Sequence, residues 1–285
     1  MGLGRRGIRF GLLAQAAAQH SGPSPDLAGT VEFELPFGKL LVEAHDDTIR
    51  PTIEAYGSWD PGGTAFIGRN AKPGMTVLDI GAHVGYHTCH AGRLVGPTGL
   101  VLAFEPEPRN YELLLANVWR NGHANVVCFP WAVTDRNGFA NLYASPTNTA
   151  DNRLDDDESG GRPVTVRTVA LDNTAVVRAP VDVVKIDVQG IEESVIAGMT
   201  RLLAASPAAC LTVEFWPHGI RRHGGDPAET LARYRALGYH VLARTEDADN
   251  PQTPAAAPLS DEEILAYCQR DGGIRHIDLE LTRPR

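Results

Sequence analysis

Ten residues constrain this chain more than any others: Val77-Leu78-Asp79-Ile80-Gly81-Ala82-His83-Val84-Gly85-Tyr86. A short continuous apolar run of this kind is a strand buried on both faces of a parallel sheet. It ends in an acid, and two glycines follow before a helical pattern begins. Gly81 can take backbone angles closed to other residues, so the chain turns tightly there. Gly85, lacking a Cβ, lets backbone approach a ligand or the sheet. A strand, glycine turn and helix in this order leave free N–H groups where a nucleotide can sit.

A second buried-strand run, Leu100-Val101-Leu102-Ala103-Phe104, leads into Glu105 and Pro106. An acid at the end of the second strand, about 20 residues past the glycine turn, is placed to accept hydrogen bonds from ribose hydroxyls. The plainer reading is a βαβ unit whose glycines merely pack helix on strand. A dinucleotide site expects Gly-x-Gly-x-x-Gly; here the middle glycine is missing and Asp79 lies directly before the turn. A carboxylate there repels a pyrophosphate and suits the ammonium of an amino-acid moiety, which favours S-adenosylmethionine over NAD and disfavours an NAD-dependent oxidoreductase.

These residues, with Leu115-Ala116-Asn117-Val118 to Asn121, Val184-Lys185-Ile186-Asp187-Val188-Gln189-Gly190 and Thr212-Val213-Glu214-Phe215, resemble class I S-adenosylmethionine-dependent methyltransferases of the FkbM family. The resemblance spans roughly residues 31 to 245. It departs from the family pattern at His83, where Asn is usual, and at Gln189, where Glu is usual. It implies an α/β fold, a doubly wound Rossmann-like sheet of order 3-2-1-4-5-7-6 with an antiparallel last strand. The expected division is a tail over residues 1–30, a hairpin and cap over 31–72, and a methyltransferase domain over 73–285.

Along the chain, residues 31–35 and 39–43 alternate around Pro36-Phe37-Gly38 as a hairpin. A helix is expected from Thr52 to Trp59, and Thr64 to Ile67 extends it after a break at Pro61-Gly62-Gly63. In methyltransferases of this type such a piece caps the cofactor and walls the substrate pocket; Tyr56 and Trp59 are candidates for that wall or for ordinary packing. Asn110 lies in the first turn of the second core helix, where it reaches the ribose or caps the helix. Ala132 and Asp135 follow the third strand, where such folds present backbone and an acid to adenine. The polar loop 145–163 lies between two short strands, and its Asn148 and Asn152 are substrate candidates. One helix is expected from Ile191 to Leu203, a strand over 209–215, and His276 to Leu281 as the closing strand.

Strands one and four end side by side at the switch point of such a sheet, so Asp187, Glu214 and His218 are expected to converge near the transferred methyl group. A hydroxyl acceptor needs a proton acceptor. His218 could serve, with Asp187 and Glu214 orienting it, binding a hydroxyl, or holding a divalent ion such as Mg²⁺. Their plainer roles are a turn cap for Asp187, a pairing with Lys185 for Glu214, and an exposed His218. His83, His87 and His90 fall at helical spacing, yet the resemblance puts His83 in the glycine turn beside the cofactor rather than on a metal.

The net charge of −9 argues against a phosphate-backbone partner. Cys89, Cys128, Cys210 and Cys268 form no metal or disulfide spacing. No apolar run is long enough to span a membrane, and the paired Arg5-Arg6 precede a stretch broken by Gln15 and Gln19, so the expected place is the cytoplasm. Together these imply an enzyme that methylates a hydroxyl of a small molecule, a sugar or secondary-metabolite intermediate. N- or carboxyl-methylation and a non-catalytic S-adenosylmethionine-binding protein are the alternatives. Self-association stays open.

Overall fold

The computed structural model describes residues 26–145, 148–154, 163–245, 256–270, 272 and 274–283. Most of the expected tail, the acidic run 155–158 and most of the Pro/Ala-rich stretch 248–258 lie outside the described residues.

The hairpin forms from β1 (Thr30–Leu35) and β2 (Gly38–Glu43), paired antiparallel with Leu35 opposite Gly38. Gly38 is required there: at φ +135°, an added Cβ would fall 1.9 Å from the Asn121 side chain. The cap is two helices, α1 (Ile49–Tyr56) and α2 (Pro61–Asn70), and the expected break at Pro61 is instead a helix start. Proline suits the first helical position because its missing N–H would be unpaired there anyway. Asp60 caps that helix, accepting from the Gly63 N–H at 2.8 Å.

Seven strands form the main sheet. In chain order with their helices they are β3 (Thr76–Ile80), α3 (Tyr86–Val95), β4 (Leu100–Phe104), α4 (Pro108–Arg120) and β5 (Val126–Phe129). A second, four-stranded sheet follows: β6 (Trp131–Val133), β7 (Gly138–Tyr143), β8 (Arg153–Leu154) and β9 (Pro163–Val169), in the order β6-β9-β7-β8. The main sheet resumes with β10 (Val183–Ile186), α5 (Glu192–Ala197), α6 (Thr200–Ala204), β11 (Cys210–Phe215), α7 (Pro217–Arg222), α8 (Pro227–Ala236), β12 (His240–Arg244), α9 (Asp261–Cys268) and β13 (Ile277–Thr282). Its order is β12-β13-β11-β10-β3-β4-β5. Only β13 runs antiparallel to its neighbours, inserted between β11 and β12.

Two departures from the sequence reading concern helices. The single helix expected over 191–203 is α5 and α6, broken at Gly198. A Cβ at Gly198 would lie 1.9 Å from the Thr134 carbonyl oxygen, so the chain bends where it passes β6. A short helix, α7, also starts directly at Pro217 where only a strand end was expected.

The two faces of the sheet bury different material. Leu78, Leu102, Val184, Val213 and Leu279 point into one apolar core. On the opposite face, Val77, Val101, Ala103, Val126 and Cys128 pack against the hairpin, cap, α3 and α4. That second face is apolar over β3, β4 and β5 except at Asp79. Over the other half it carries Lys185, Thr212, Glu280 and Arg244, all buried.

Candidate active site

The strand order reverses between β3 and β10, and in open α/β sheets ligands bind beyond the carboxyl ends of the strands at that point. A cavity of about 720 Å³ lies there, bounded by both strand ends, the cap and residues 148–154.

The turn after β3 forms one end. Gly81 sits at φ +78°, and a Cβ on it would lie 1.8 Å from the Asp187 carbonyl oxygen, so only glycine lets the turn close on β10. The Gly81 and Ala82 N–H groups donate to the Phe104 carbonyl at 3.0 and 2.9 Å, tying the turn to β4. His83 follows at φ +50°. Its N–H donates to Glu105 Oε2 at 2.8 Å, and the Glu107 N–H donates to Oε1 at 2.9 Å. Burial pushes the Glu105 carboxyl up to about 7, against the pull of those two N–H groups.

The His83 ring is fixed by a chain of hydrogen bonds. Thr149 donates its hydroxyl to Asp46 Oδ2 at 2.5 Å, so Thr149 Oγ1 accepts from His83 Nε2 at 2.9 Å. His83 is therefore the Nε2–H tautomer with Nδ1 left as an acceptor. Burial lowers its pKa to about 4, which keeps the ring neutral. Asp46 also accepts from the Thr48, Ile49 and Arg50 N–H groups, capping α1. Asn110 lines the cavity, but its amide donates to the Thr149 carbonyl at 2.9 Å, and the cap of α4 is Glu107. Pro106 and Ala132 also line the wall.

Three expected cofactor residues are absent from that wall. Asp79 is buried beneath the turn, accepting from Thr88 Oγ1 at 2.5 Å with Lys185 Nζ 3.7 Å away, because strand alternation turns it toward α3. Gly85 serves packing: a Cβ there would approach Leu114 to 2.7 Å. Asp135 lies past the end of β6 and accepts from the Ser194 hydroxyl, away from the cavity.

The far end is charged. Lys185 donates to the Gly81 carbonyl at 2.7 Å and lies 3.4 Å from Asp187 Oδ2. Burial opposes its charge, but Asp187 and Asp79 outweigh it and raise its pKa. Gln189, at φ +60°, donates to Asp187 at 2.9 Å and to Glu214 at 3.3 Å. Asp187 and Glu214 thus come together as expected, with Gln189 between them. Burial first, then Asp187 and Glu192, push the Glu214 carboxyl well up.

His218 does not join them. Pro217 begins α7 directly after β11, so Trp216 takes the cavity position and the His218 ring sits 5.5 Å from it, off the wall. Four residues that the sequence reading does not assign to the site line this end instead: Asp60, Arg244, His276 and Asp278. Asp60 Oδ2 meets His87 Nε2 at 3.0 Å. Burial works against that carboxylate, but the His87 bond and charge, with Arg244, hold it well below the usual range. A hint was present in Ile277-Asp278-Leu279-Glu280-Leu281, whose acids alternate through a buried strand. Tyr56, Trp59, Asn148 and Asn152 line the cavity wall, and Tyr86 Oη accepts from the Trp59 N–H at 3.2 Å. Among the described residues no three His, Cys, Asp or Glu side chains are arranged to hold a metal, so Asp187 and Glu214 gain no third ligand. Nor is any helix among them long and apolar enough to cross a membrane.

The model of the methyltransferase FkbM domain matches residues 79–241, more than half of the chain. The chain belongs to the FkbM methyltransferase family. This FkbM protein is accordingly an S-adenosylmethionine-dependent methyltransferase. No curated protein matches its sequence. Among solved structures it resembles a TehB-like S-adenosylmethionine-dependent methyltransferase of Corynebacterium glutamicum at 12% identity and TM-score 0.44, covering 82% of this chain and 94% of that one. It also resembles an S-adenosylmethionine-dependent methyltransferase of Aquifex aeolicus at 15% identity and TM-score 0.41, covering 84% and 95%. An rRNA methylase of Streptococcus thermophilus aligns at 12% identity and TM-score 0.43, over 78% and 94%.

Proposed function

We propose that this FkbM methyltransferase methylates a hydroxyl of a small polar acceptor, a sugar or secondary-metabolite intermediate. The observation that carries this reading is the cavity's two unlike ends, one built of turn backbone and Glu105, the other of carboxylates. A volume of about 720 Å³ suits small ligands, and the net charge of −9 disfavours a phosphate backbone.

The residues present fit S-adenosylmethionine. Glu105 is a buried carboxylate for the ribose diol, Phe104, Pro106, Trp131 and Ala132 offer apolar and backbone contacts for a base, and the Gly81–His83 turn borders the Lys185–Asp187 pair. The bound cofactor supplies an activated methyl group, so this chain's residues have to orient the acceptor and take its proton. Glu214, whose proton affinity burial raises, is the proton acceptor in place of His218, and Asp187, held by Lys185 and Gln189, orients the hydroxyl.

The test begins with calorimetric binding of S-adenosylhomocysteine beside an NAD control, then transfer of labelled methyl groups to hydroxylated acceptors with mass spectrometry of the product. Glu214→Gln is expected to cut turnover by about 100-fold or more with cofactor binding kept, and His218→Ala to leave it unchanged. Undiminished turnover in Glu214→Gln overturns the assignment. Methyl groups found on nitrogen or carboxyl point to the alternative acceptors, and binding with no turnover on any acceptor points to a non-catalytic protein.

A further inference from the structure

The charged half of the sheet face has a specific layout. Glu214 stands directly opposite Asp278 in the β11–β13 register, and Asp278 stands opposite Arg244 in the β12–β13 register. Like charges directly opposite on one face destabilise a sheet. Asp60 reaches the same end of the cavity from the cap. Of the cations nearby, Lys185 lies between Asp79 and Asp187, and Arg244 pairs with Asp278 at 3.0 Å and approaches Glu280 at 4.0 Å, so Asp278 already has a positive partner. Among the described residues neither Asp60 nor Glu214 has a lysine or arginine within ion-pair distance; their partners are His87 and the Gln189 amide.

Arg244 supplies a second, independent observation. It is 4% exposed and lines the cavity, yet its Nε and Nη1 make no hydrogen bond. Gly62 of α2 crosses the guanidinium so closely that a Cβ would lie 3.0 Å from Nη1, so glycine lets α2 pack directly against that group. Buried guanidinium N–H groups without acceptors cost free energy unless an oxygen reaches them.

The geometry points to an acceptor that carries a protonated nitrogen beside its hydroxyls, an amino sugar or amino alcohol, with the ammonium among Asp60, Glu214 and Asp278 and an oxygen on Arg244. This rests on the methyl-transfer reading above and names the acceptor's class. An ammonium has three donors and no acceptor, which suits Glu214, the one of these three carboxylates with no positive partner; a neutral polyol satisfies hydrogen bonds but leaves that charge unrelieved. The raised pKa values of Glu214 and of Asp278, the latter about 6, agree with acids that burial and neighbouring carboxylates crowd and that a cation would relieve. A cation there also favours ionised Glu214, the form that accepts a proton.

The experiment is calorimetry on protein saturated with S-adenosylhomocysteine at pH 7.5, titrated with glucosamine, N-acetylglucosamine, ethanolamine and ethylene glycol. The amines are expected to bind at least about tenfold more tightly than their neutral counterparts, the worth of a charge-assisted hydrogen bond. Asp60→Asn keeps a helix-capping side chain and is expected to reduce the preference to about twofold or less, with the affinity for S-adenosylhomocysteine unchanged. Equal binding of amine and neutral probe, or no amine saturating by about 10 mM, overturns the inference and leaves the methyl-transfer reading standing. Failure of S-adenosylhomocysteine itself to bind overturns both.

Discussion

Glu105 gives the sharpest quantitative expectation. Its two carboxylate oxygens each accept a backbone N–H, from His83 at 2.8 Å and Glu107 at 2.9 Å, and burial still raises it to about 7. The ionised fraction of such a group is about one tenth at pH 6 and nine tenths at pH 8. The ionised form is the stronger acceptor for ribose hydroxyls. The association constant for S-adenosylhomocysteine is therefore expected to rise about tenfold between those pH values, roughly 1.4 kcal/mol, with about half a proton released on binding at pH 7. Calorimetry in two buffers of different ionisation heat reads both quantities. In Glu105→Gln the amide must turn an N–H toward either the His83 or the Glu107 N–H, leaving a buried donor unpaired at a cost of about 1–3 kcal/mol. That variant should melt lower and lose the pH slope. His83 does not compete for the explanation, since it titrates near 4. A flat affinity from pH 6 to 8, or a slope that survives in Glu105→Gln, would refute the reasoning.

Three further outcomes follow from single contacts. Gly81→Ala combines a φ of +78° with a Cβ 1.8 Å from the Asp187 carbonyl oxygen, so it should lose about 3 kcal/mol or more and abolish S-adenosylhomocysteine binding; a wild-type melt with intact binding contradicts it. Glu192 is buried, accepts from the Val188 and Gly190 N–H groups through Oε1, and is raised to about 7 by that burial, while Oε2 has no partner. A raised folded-state value means its contribution is full below about 4.5 and lost as pH climbs through 7, so Glu192→Gln should be neutral near pH 5 and stabilising by roughly 3 kcal/mol at pH 8 in denaturant titrations. Asn117 accepts from the Leu41 N–H at 2.7 Å and donates to the Leu41 and Val84 carbonyls, so Asn117→Leu should cost about 3 kcal/mol, visible in thermal melts.

The elements nearest the glycine turn were legible because their determinants are local. An apolar run, an acid and a glycine with φ above zero are adjacent in sequence, and Glu105 follows one crossover later. Asp60, Arg244 and Asp278 were not legible, because they meet only after β13 inserts between β11 and β12 and the cap folds over them. No spacing rule joins residues so distant in the chain; the available sign was acids alternating through a strand otherwise buried. Asp135 and His218 lie off the cavity wall for a narrower reason. Each lies two or three residues past a strand end, and the local turn decides its direction: Pro217 starts a helix and carries His218 aside. Asp79 was assigned by motif position, while strand parity sends its side chain under the turn to Thr88 and Lys185.

The division of the sheet face into an apolar and a charged half has a consequence for how the molecule opens. β3, β4 and β5 join through short crossovers and are apolar on both faces apart from Asp79, so they can gather a core early and hold it tightly. β12 and β13 lie at one edge, over a face whose charges contribute little to cohesion. Native-state openings should begin at that edge, and amides of β12 and β13 should exchange with solvent before those of β3 and β4. The charged end of the cavity can then loosen and re-form while the glycine-turn end keeps its shape, so a molecule held at one end can leave without release at the other.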